Sequence, residues 1–218
     1  MSGEPVVLVM ASAPRRGETR RGLEPVIGID GCVALQTALL REALQWAQTL
    51  APAAVYAAHS PPDAAPELRA LLGPEVHLFP QNGEGIAGRF ADAAGRLLAR
   101  HGGPVLVVWP DLPRLRPAHG RGALEDLREG CDVVFGPMFD GGFYLIGLAR
   151  PMPRLFALPE RAWRSPEAGG LGLAAAREEG LEVGLLRAER GLHRPADVRA
   201  ALADPMLPEV IARALGRH

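Results

Sequence analysis

The stretch Val105-Leu106-Val107-Val108-Trp109 is apolar at every position and is followed directly by Pro110-Asp111. A strand with one face in solvent alternates apolar and polar residues, whereas a strand covered by helices on both faces stays apolar throughout. The stretch therefore predicts a central strand of a sheet that lies between two layers of helices. It also places the carboxylate of Asp111 at the carboxyl end of that strand.

Strands and helices alternate along the rest of the chain. We predict six further strands, at 6–10, 53–58, 76–79, 132–135, 143–148 and 183–186. Helices are predicted at 30–50 with Asp30 as its cap, at 67–72, 86–100 and 167–179, around Leu124 and Leu127 up to Gly130, and from Pro195 onward. Residues 15–28 are predicted to form a long loop. This alternation predicts an α/β fold, a three-layer α/β/α sandwich with a mostly parallel central sheet, in one domain over residues 1–218.

The composition favours a small-molecule partner. A net charge of -1 gives no general basic surface, so we expect no nucleic-acid partner. The first residues do not form a charged-then-apolar leader, and no apolar run approaches the roughly 20 residues that span a bilayer. We therefore expect a cytoplasmic protein without a membrane span. Cys32 and Cys131 form no CxxC pattern, so zinc-finger and dithiol chemistry have no support.

The loop after the first strand is rich in arginine and glycine. Ligands of parallel sheets bind outside the carboxyl ends of the strands, and the arginine fork matches the geometry of phosphate. Glycine in addition lets backbone amides approach a ligand closely. We predict that this loop binds nucleotide phosphates through Ala13, Pro14, Arg15, Arg16, Gly17, Arg20 and Arg21. A solvated basic loop without a ligand is the alternative.

Three side chains in the other loops are candidates for the chemistry. Asp111 has a proline on each side, and a fixed carboxylate at a strand end is well placed to ligate a hard divalent cation. Asp140, followed by Gly141 and Gly142, could accept hydrogen bonds from hydroxyls while the glycines approach a sugar or phosphate. His193 could ligate a metal or act as an acid or base. The plainer alternatives are a turn cap, a hairpin turn and a surface histidine.

A GxGxxG pattern, Gly83-Glu84-Gly85-Ile86-Ala87-Gly88, follows the third predicted strand. The dinucleotide-binding fingerprint normally follows the first strand of its unit, and Glu84 would add negative charge beside a pyrophosphate. A dinucleotide site and close packing at a helix start are both possible interpretations. We favour a third, a turn that contacts a nucleotide through Gln81 and Gly85.

These segments, in this order, resemble a bacterial family of glycosyltransferase-A-like proteins, the radical-SAM/selenodomain-associated transferases. The most specific match is to the family's GP-x-x-DGG-[YF]-Y-L-x-G-L pattern, which fits residues 136–148 throughout. The family's AP-x-x-G-x-x-K-T-R-L loop is similar to residues 13–23, its G-x-D-x-P-x-L strand ending to residues 109–115, and its Q-x-x-G-x-L-G-x-R turn to residues 81–89.

The resemblance implies the nucleotide-diphospho-sugar transferase (GT-A-like) fold, with Asp111 binding Mg²⁺ or Mn²⁺ and Asp140 facing donor or acceptor. Two departures bear on activity. The first loop lacks the family's lysine, and both leading acids of a closing D-x-D-x-x-x-D element are replaced, by Gly191 and His193. His193 could still ligate metal, and imidazole with carboxylate suits Mn²⁺ better than Mg²⁺.

We therefore expect a nucleotide-dependent transferase that acts on a nucleotide or nucleotide-sugar and a small-molecule acceptor, with Asp111 and Asp140 as catalytic residues and Asp111 and His193 as metal ligands. Three alternatives stay open. The chain could make a nucleotide-diphospho product as a nucleotidyltransferase, it could bind nucleotides without catalysis through a degenerate metal site, or it could be a dinucleotide-dependent oxidoreductase.

Overall fold

A computed structural model describes residues 3–156, 163 and 166–216. Within these residues there are seven strands: β1 Val6–Ser12, β2 Ala54–Ser60, β3 His77–Pro80, β4 Val105–Val108, β5 Val133–Pro137, β6 Phe143–Leu148 and β7 Val183–Leu185. The α-helices in the described residues are α1 Glu24–Gln48, α2 Ala65–Leu72, α3 Gly85–His101, α4 Pro117–Glu129, α5 Ala168–Glu178, α6 Pro195–Leu202 and α7 Glu209–Ala214. The described part of the chain also forms 3₁₀ turns at Arg21–Leu23 and Pro153–Phe156.

The strands form one sheet in the order β3-β2-β1-β4-β6-β5-β7. All neighbouring pairs are parallel except those of β6, which runs antiparallel to β4 and β5. The carboxyl ends of β1, β4 and β5 therefore lie at the same edge of the sheet. The loops that follow β1 and β4, and the turn from β5 into β6, meet at that edge.

Both faces of the sheet are covered, which explains the unbroken apolar runs in the sequence. Val7 and Val9 of β1 pack with α1, α2 and α4, whereas Val6 and Leu8 face the other side and pack with α3 and α5. A third apolar cluster joins α1 to α6 and α7 and includes the buried Leu192. The predicted three-layer α/β/α sandwich with a mostly parallel sheet is confirmed.

The prediction of a loop over residues 15–28 is wrong in its second half. A helix begins at Glu24, with Pro25 in the first turn, where proline has no amide hydrogen to lose. Gly28 then breaks the helical geometry with φ 70° and ψ 172°, so the element consists of two helical pieces joined at a kink. Asp30, which was predicted to cap the helix, lies two residues after this break, in the first turn of the second piece, and pairs with Arg16. The short helix α7 was not predicted.

The segment Arg21–Gln48 is long and apolar enough, by length and composition alone, to cross a membrane. A core helix passes the same test. In this fold Leu35, Leu39 and Leu40 of α1 are buried by the sheet and by neighbouring helices. Packing thus accounts for the apolar face, and the absence of a membrane span stays a prediction.

Candidate functional site

Four side chains that are remote in sequence meet at the carboxyl edge of the sheet. Nη1 of Arg20 lies 2.9 Å from Oδ1 of Asp111, and Nε2 of His193 lies 3.5 Å from the same oxygen. Nδ1 of His193 lies 2.5 Å from Oδ2 of Asp140. Two carboxylates and two basic groups therefore form one connected cluster, in the loops where the sequence predicted a site.

Asp111 is held at both of its backbone groups as well as at its side chain. Its amide donates to the carbonyl of Trp109 over 2.8 Å, and its carbonyl accepts from the amide of Leu192 over 2.9 Å. Although burial alone would raise the pKa of Asp111, the charge of Arg20 and the hydrogen bond and charge of His193 lower it to about 2. Asp111 is therefore ionised throughout the neutral range.

Arg20 is a fixed cation. Its side chain is only 9% exposed, and its backbone is left-handed with φ 51°. Besides Asp111, the guanidinium donates to Oε1 of Gln36 over 2.7 Å, to the carbonyl of Pro110 over 2.6 Å and to the carbonyl of Leu192 over 3.3 Å. The sequence predicted that Arg20 binds phosphate. The four acceptors engage every nitrogen of its guanidinium, so the main contact of this side chain in the fold is with Asp111 and the neighbouring backbone.

Asp140 lies in the turn between β5 and β6, so the segment forms a hairpin turn, and a ligand-binding role of Asp140 stays a prediction. Oδ1 of Asp140 accepts from the amide of Gly142 over 3.2 Å. Gly141 has φ 94°, and a Cβ there would lie 1.8 Å from the carbonyl oxygen of Pro166. Only glycine fits this turn, and the turn leaves the second carboxylate oxygen of Asp140 facing His193.

His193 is placed by the residues on either side of it. Leu192 is buried in the apolar cluster of α1 and α6, and Oδ2 of Asp197 accepts from the amide of His193 over 3.2 Å. Burial alone would lower the pKa of the ring, but the hydrogen bonds and charges of Asp111 and Asp140 raise it to about 10. The same hydrogen bond lowers the pKa of Asp140.

Two cavities of about 260 Å³ each share Asp111 as a wall. The one beside the first loop is polar and is lined by Ser12, Thr19, Arg20 and Gln36. The other is lined by Asp140 and His193 together with Trp109, Phe143, Trp163 and Arg194. The aromatic residues, Gln36 and Arg194 were not predicted as site residues. Of these residues, only Gln36 could have been found from the sequence, because it is a polar residue next to the apolar positions of α1.

Arg15 and Arg16 of the first loop form ion pairs within the fold. Arg15 binds Glu67 with Nη2 at 2.6 Å and Asp63 with Nη1 at 3.2 Å, and Arg16 pairs with Asp30. A phosphate could take either side chain only after these ion pairs open. Gly17 has φ 70° and Ala13 donates to Ser60 over 2.9 Å, so this part of the loop, which also holds Pro14, forms a backbone turn. Arg21 is exposed.

The GxGxxG turn follows β3, which lies at one edge of the sheet. A Cβ on Gly83 would lie 2.6 Å from the backbone of Gly88, so the outer glycines of the pattern pack against each other. Gln81 donates to the carbonyl of Ala58 over 2.9 Å, and Gly85 begins α3 with φ 66°. Close packing at a helix start explains the outer glycines. Ile86 of the pattern lines the cavity that holds Asp111, and contact of Gln81 and Gly85 with a nucleotide stays a prediction.

Mg²⁺ or Mn²⁺ at Asp111 and His193 stays a prediction. Nε2 of His193 lies 3.5 Å from Oδ1 of Asp111, and the other ring nitrogen of His193 faces Asp140. Within residues 3–156, 163 and 166–216, no group of three or more His, Cys, Asp or Glu side chains is arranged to hold a metal ion.

The sheet order and the polar cluster at its carboxyl edge define a protein with the nucleotide-diphospho-sugar transferase fold. The chain is similar to a structure from Desulfovibrio desulfuricans G20 described as a "putative nucleotide-diphospho-sugar transferase", with a TM-score of 0.88 and 24% identity over 98% of this chain and 94% of that one. It is also similar to CMP:2-keto-3-deoxy-manno-octonic acid synthetase complexed with CTP, with a TM-score of 0.56 and 17% identity over 92% and 97%. The inositol-1-phosphate CTP transferase from T. maritima has a TM-score of 0.50 and 12% identity over 100% and 96%.

The chain belongs to the bacterial family described as "Uncharacterized protein conserved in bacteria (DUF2064)", whose model matches residues 44–163. A search of curated proteins found no match. The resemblance to a bacterial family with a GT-A-like fold, inferred from the sequence motifs, is confirmed.

Proposed function

We propose that this chain is a nucleotide-dependent transferase that moves a group from a nucleotide-diphospho donor to a small-molecule acceptor. One observation carries the proposal: Asp111 forms part of the wall of two neighbouring cavities, with Arg20 on one side and His193 and Asp140 on the other. A polar cavity and an aromatic cavity that meet at charged groups suit a reaction between two bound molecules.

The polar cavity suits the phosphates of the donor. Arg20 places a positive charge at its wall beside the carboxylates of Asp111 and Glu18, and Ser12 and Thr19 add hydroxyl groups. A diphosphate that leaves the donor gains negative charge as its bond breaks, and fixed positive charge stabilises that state without any rearrangement. Because four protein acceptors hold Arg20, its charge stays in place during the reaction.

The aromatic cavity suits the acceptor. Trp109 and Phe143 offer flat apolar surfaces on which a ring can pack, and Asp140 supplies a hydrogen-bond acceptor for a hydroxyl. The hydrogen bond from His193 lowers the pKa of Asp140, so its carboxylate is ionised at neutral pH. A carboxylate with a lowered pKa is a weak base. The role of Asp140 is therefore mainly to orient the attacking hydroxyl.

A thermal-shift screen tests the donor class. A ligand that binds only the folded state raises the melting temperature by mass action. The panel contains nucleoside diphosphates, nucleoside triphosphates and nucleotide sugars, beginning with CTP because two relatives by fold are named as CTP-binding enzymes. We expect a rise in Tm with at least one nucleotide, and a smaller rise with Asp111→Asn. A panel without any shift would remove the proposal.

Nucleotidyl transfer is the second candidate, and the CTP enzymes among the fold relatives favour it. The two reactions break different phosphate bonds. Release of pyrophosphate from a nucleoside triphosphate and a sugar phosphate identifies nucleotidyl transfer, whereas release of a nucleoside diphosphate from a nucleotide sugar identifies sugar transfer. Tight nucleotide binding with no product over a broad panel of acceptors identifies a non-catalytic module.

A further inference from the structure

Phe139 is a solvent-exposed aromatic side chain beside the site. It comes directly before Asp140 in the turn from β5 to β6, and it is 65% exposed. Its backbone is fixed, because the amide of Phe139 donates to the carbonyl of Glu189 over 3.0 Å and the amide of Glu189 donates to the carbonyl of Pro137 over 3.0 Å. A single exposed apolar residue is common on protein surfaces, so the groups around the ring decide what it can do.

The guanidinium of Arg190 lies over this ring. Its Cζ is 5.7 Å from the ring centroid of Phe139, which is within the range of a cation–π contact. Nη1 of Arg190 donates to Oδ1 of Asp197 over 3.0 Å. These two contacts position a side chain that is 50% exposed. Among the described residues Arg190 has no other hydrogen-bond acceptor, so its remaining nitrogens are available to a ligand.

Phe139 and Arg190 line a cavity of about 160 Å³, which we call the outer cavity. Asp140 and Arg194 line both the outer cavity and the aromatic cavity. The two cavities are therefore neighbours that share these side chains. A ligand whose hydroxyl lies at Asp140 can extend from the aromatic cavity into the outer cavity.

Gly191 joins the outer cavity to the catalytic cluster. A Cβ at this position would lie 2.9 Å from Sδ of Met138 and 3.1 Å from Cε1 of His193. A side chain there would crowd both groups. The backbone of Gly191 thus packs directly on the His193 ring, and the wall of the outer cavity is in contact with the cluster.

The carboxylates of Asp140 and Asp197 also line the outer cavity, but protein donors already engage them. Oδ2 of Asp197 accepts from the amides of His193 and Arg194 over 3.2 Å and 2.9 Å, and its Oδ1 accepts from Arg190. The oxygens of Asp140 accept from the turn and face His193. The exposed Arg194 forms no ion pair within the described residues. The donors that a ligand meets here are therefore those of two arginines.

We propose that the outer cavity is a second subsite for the acceptor substrate, and that it selects a ring compound with an anionic group, a phosphate or a carboxylate. The ring packs on the open face of Phe139, and the anionic group accepts hydrogen bonds from Arg190 and Arg194. The inference rests on the proposed function, since it names the chemical class of that acceptor substrate. It makes Phe139 and Arg190 the residues that determine specificity.

Saturation-transfer-difference NMR with the full chain tests the preference for an anion. Glucose 6-phosphate and glucuronate are compared with glucose, and phenyl phosphate and benzoate are compared with phenol. We expect the anionic compounds of each set to bind at least about tenfold more tightly than the neutral one. The phosphate and carboxylate members show which of the two anionic groups the subsite prefers.

Two variants place the binding in the outer cavity. Arg190→Gln keeps a donor for Asp197, and it should weaken binding of the anionic compounds by about tenfold while binding of the neutral ones is unchanged. Phe139→Ala should weaken binding of all compounds by about threefold to tenfold, because packing of a ring does not depend on its charge. If Arg190→Gln lowers the melting temperature, Arg194→Gln repeats the test without touching the contact to Asp197.

Each variant has a control of similar exposure. Arg96→Gln breaks an ion pair in α3 in which the arginine is 48% exposed, close to the 50% of Arg190. Met206→Ala shortens a side chain that is 64% exposed, close to the 65% of Phe139. Neither control should change any of the affinities.

The inference would be overturned if the wild type bound none of the compounds or bound anionic and neutral ones equally. It would also be overturned by an anionic preference that persists in Arg190→Gln, or by unchanged affinities in Phe139→Ala. The proposed function is tested separately by the nucleotide screen. Binding of anionic rings that Arg190→Gln weakens, together with no response to any nucleotide, would support the subsite and count against the transferase.

Discussion

Nδ1 of His193 lies 2.5 Å from Oδ2 of Asp140, although 53 residues separate them in the chain. Asp140 comes from the turn between β5 and β6, and His193 comes from the loop that follows β7. Each residue is fixed by its own backbone contacts, to Gly142 in one case and to Asp197 in the other. The pair is therefore held by two separate loops and closes the space between them.

The stability of the cluster depends on pH in a defined direction. The pKa of His193 is raised from 6.5 to about 10 in the folded state, so its stabilising effect is complete below 6.5 and is lost as the pH rises through about 10. The pKa of Asp111 is lowered from 3.8 to about 2, so its effect is present above 3.8 and is lost as the pH falls through about 2.

His193→Asn should therefore cost more stability near neutral pH than in alkali. The free energy of unfolding, measured with urea, should fall by about 1–2 kcal/mol at about pH 6 and by much less above about pH 10. We expect a loss near about 1 kcal/mol at about pH 6, because water screens the charges around the partly exposed ring. His77→Asn at an exposed strand position is the control. An equal loss for His193→Asn at both pH values would mean that the ring is neutral in the folded protein.

Asp111→Asn should destabilise the fold apart from any effect on ligand binding. It leaves the guanidinium of Arg20, which is 9% exposed, without its carboxylate partner. Removal of one member of a largely buried ion pair costs about 2–4 kcal/mol. Glu209→Gln breaks the pair with Arg213, in which the side chains are 70% and 74% exposed, and should cost less than about 0.5 kcal/mol. Similar losses in the two variants would show that the Arg20–Asp111 pair is solvated.

Gly141→Ala should be among the most damaging substitutions in the hairpin. The position has φ 94°, and the new methyl group would lie 1.8 Å from the backbone oxygen of Pro166. We expect a loss of at least about 3 kcal/mol, or a displaced turn that no longer presents Asp140. Gly95→Ala, in the middle of α3 with open space around it, should instead stabilise the protein by about 0.5–1 kcal/mol. Circular dichroism during urea unfolding measures both effects.

The sequence predicted the sheet well because covered strands are apolar on both faces, as in β1 and β4. It also placed Asp111 and Asp140 in loops at one edge, since the carboxyl ends of parallel strands meet there. It did not predict that Arg15 pairs with Asp63 and Glu67, because contacts across about 50 positions leave no local pattern. The packing of Gly191 against His193 was likewise visible only in three dimensions.

Arg194 offers a test of ligand binding that leaves the cluster intact. It is exposed at the mouth of the aromatic cavity and is the residue before α6. Because an exposed arginine gains its charge-assisted hydrogen bonds only when an anion is present, Arg194→Ala should weaken binding of an anionic ligand by about tenfold and change the free energy of unfolding by less than about 0.5 kcal/mol.

Arg199→Ala is the control, at an exposed position further along the same helix, and should change the affinity by less than about twofold. Calorimetry with the tightest nucleotide from the thermal-shift screen measures both constants. Equal affinities for the two variants would mean that the ligand does not reach the α6 side of the cavity, and the acceptor would then have to bind on the β5–β6 side alone.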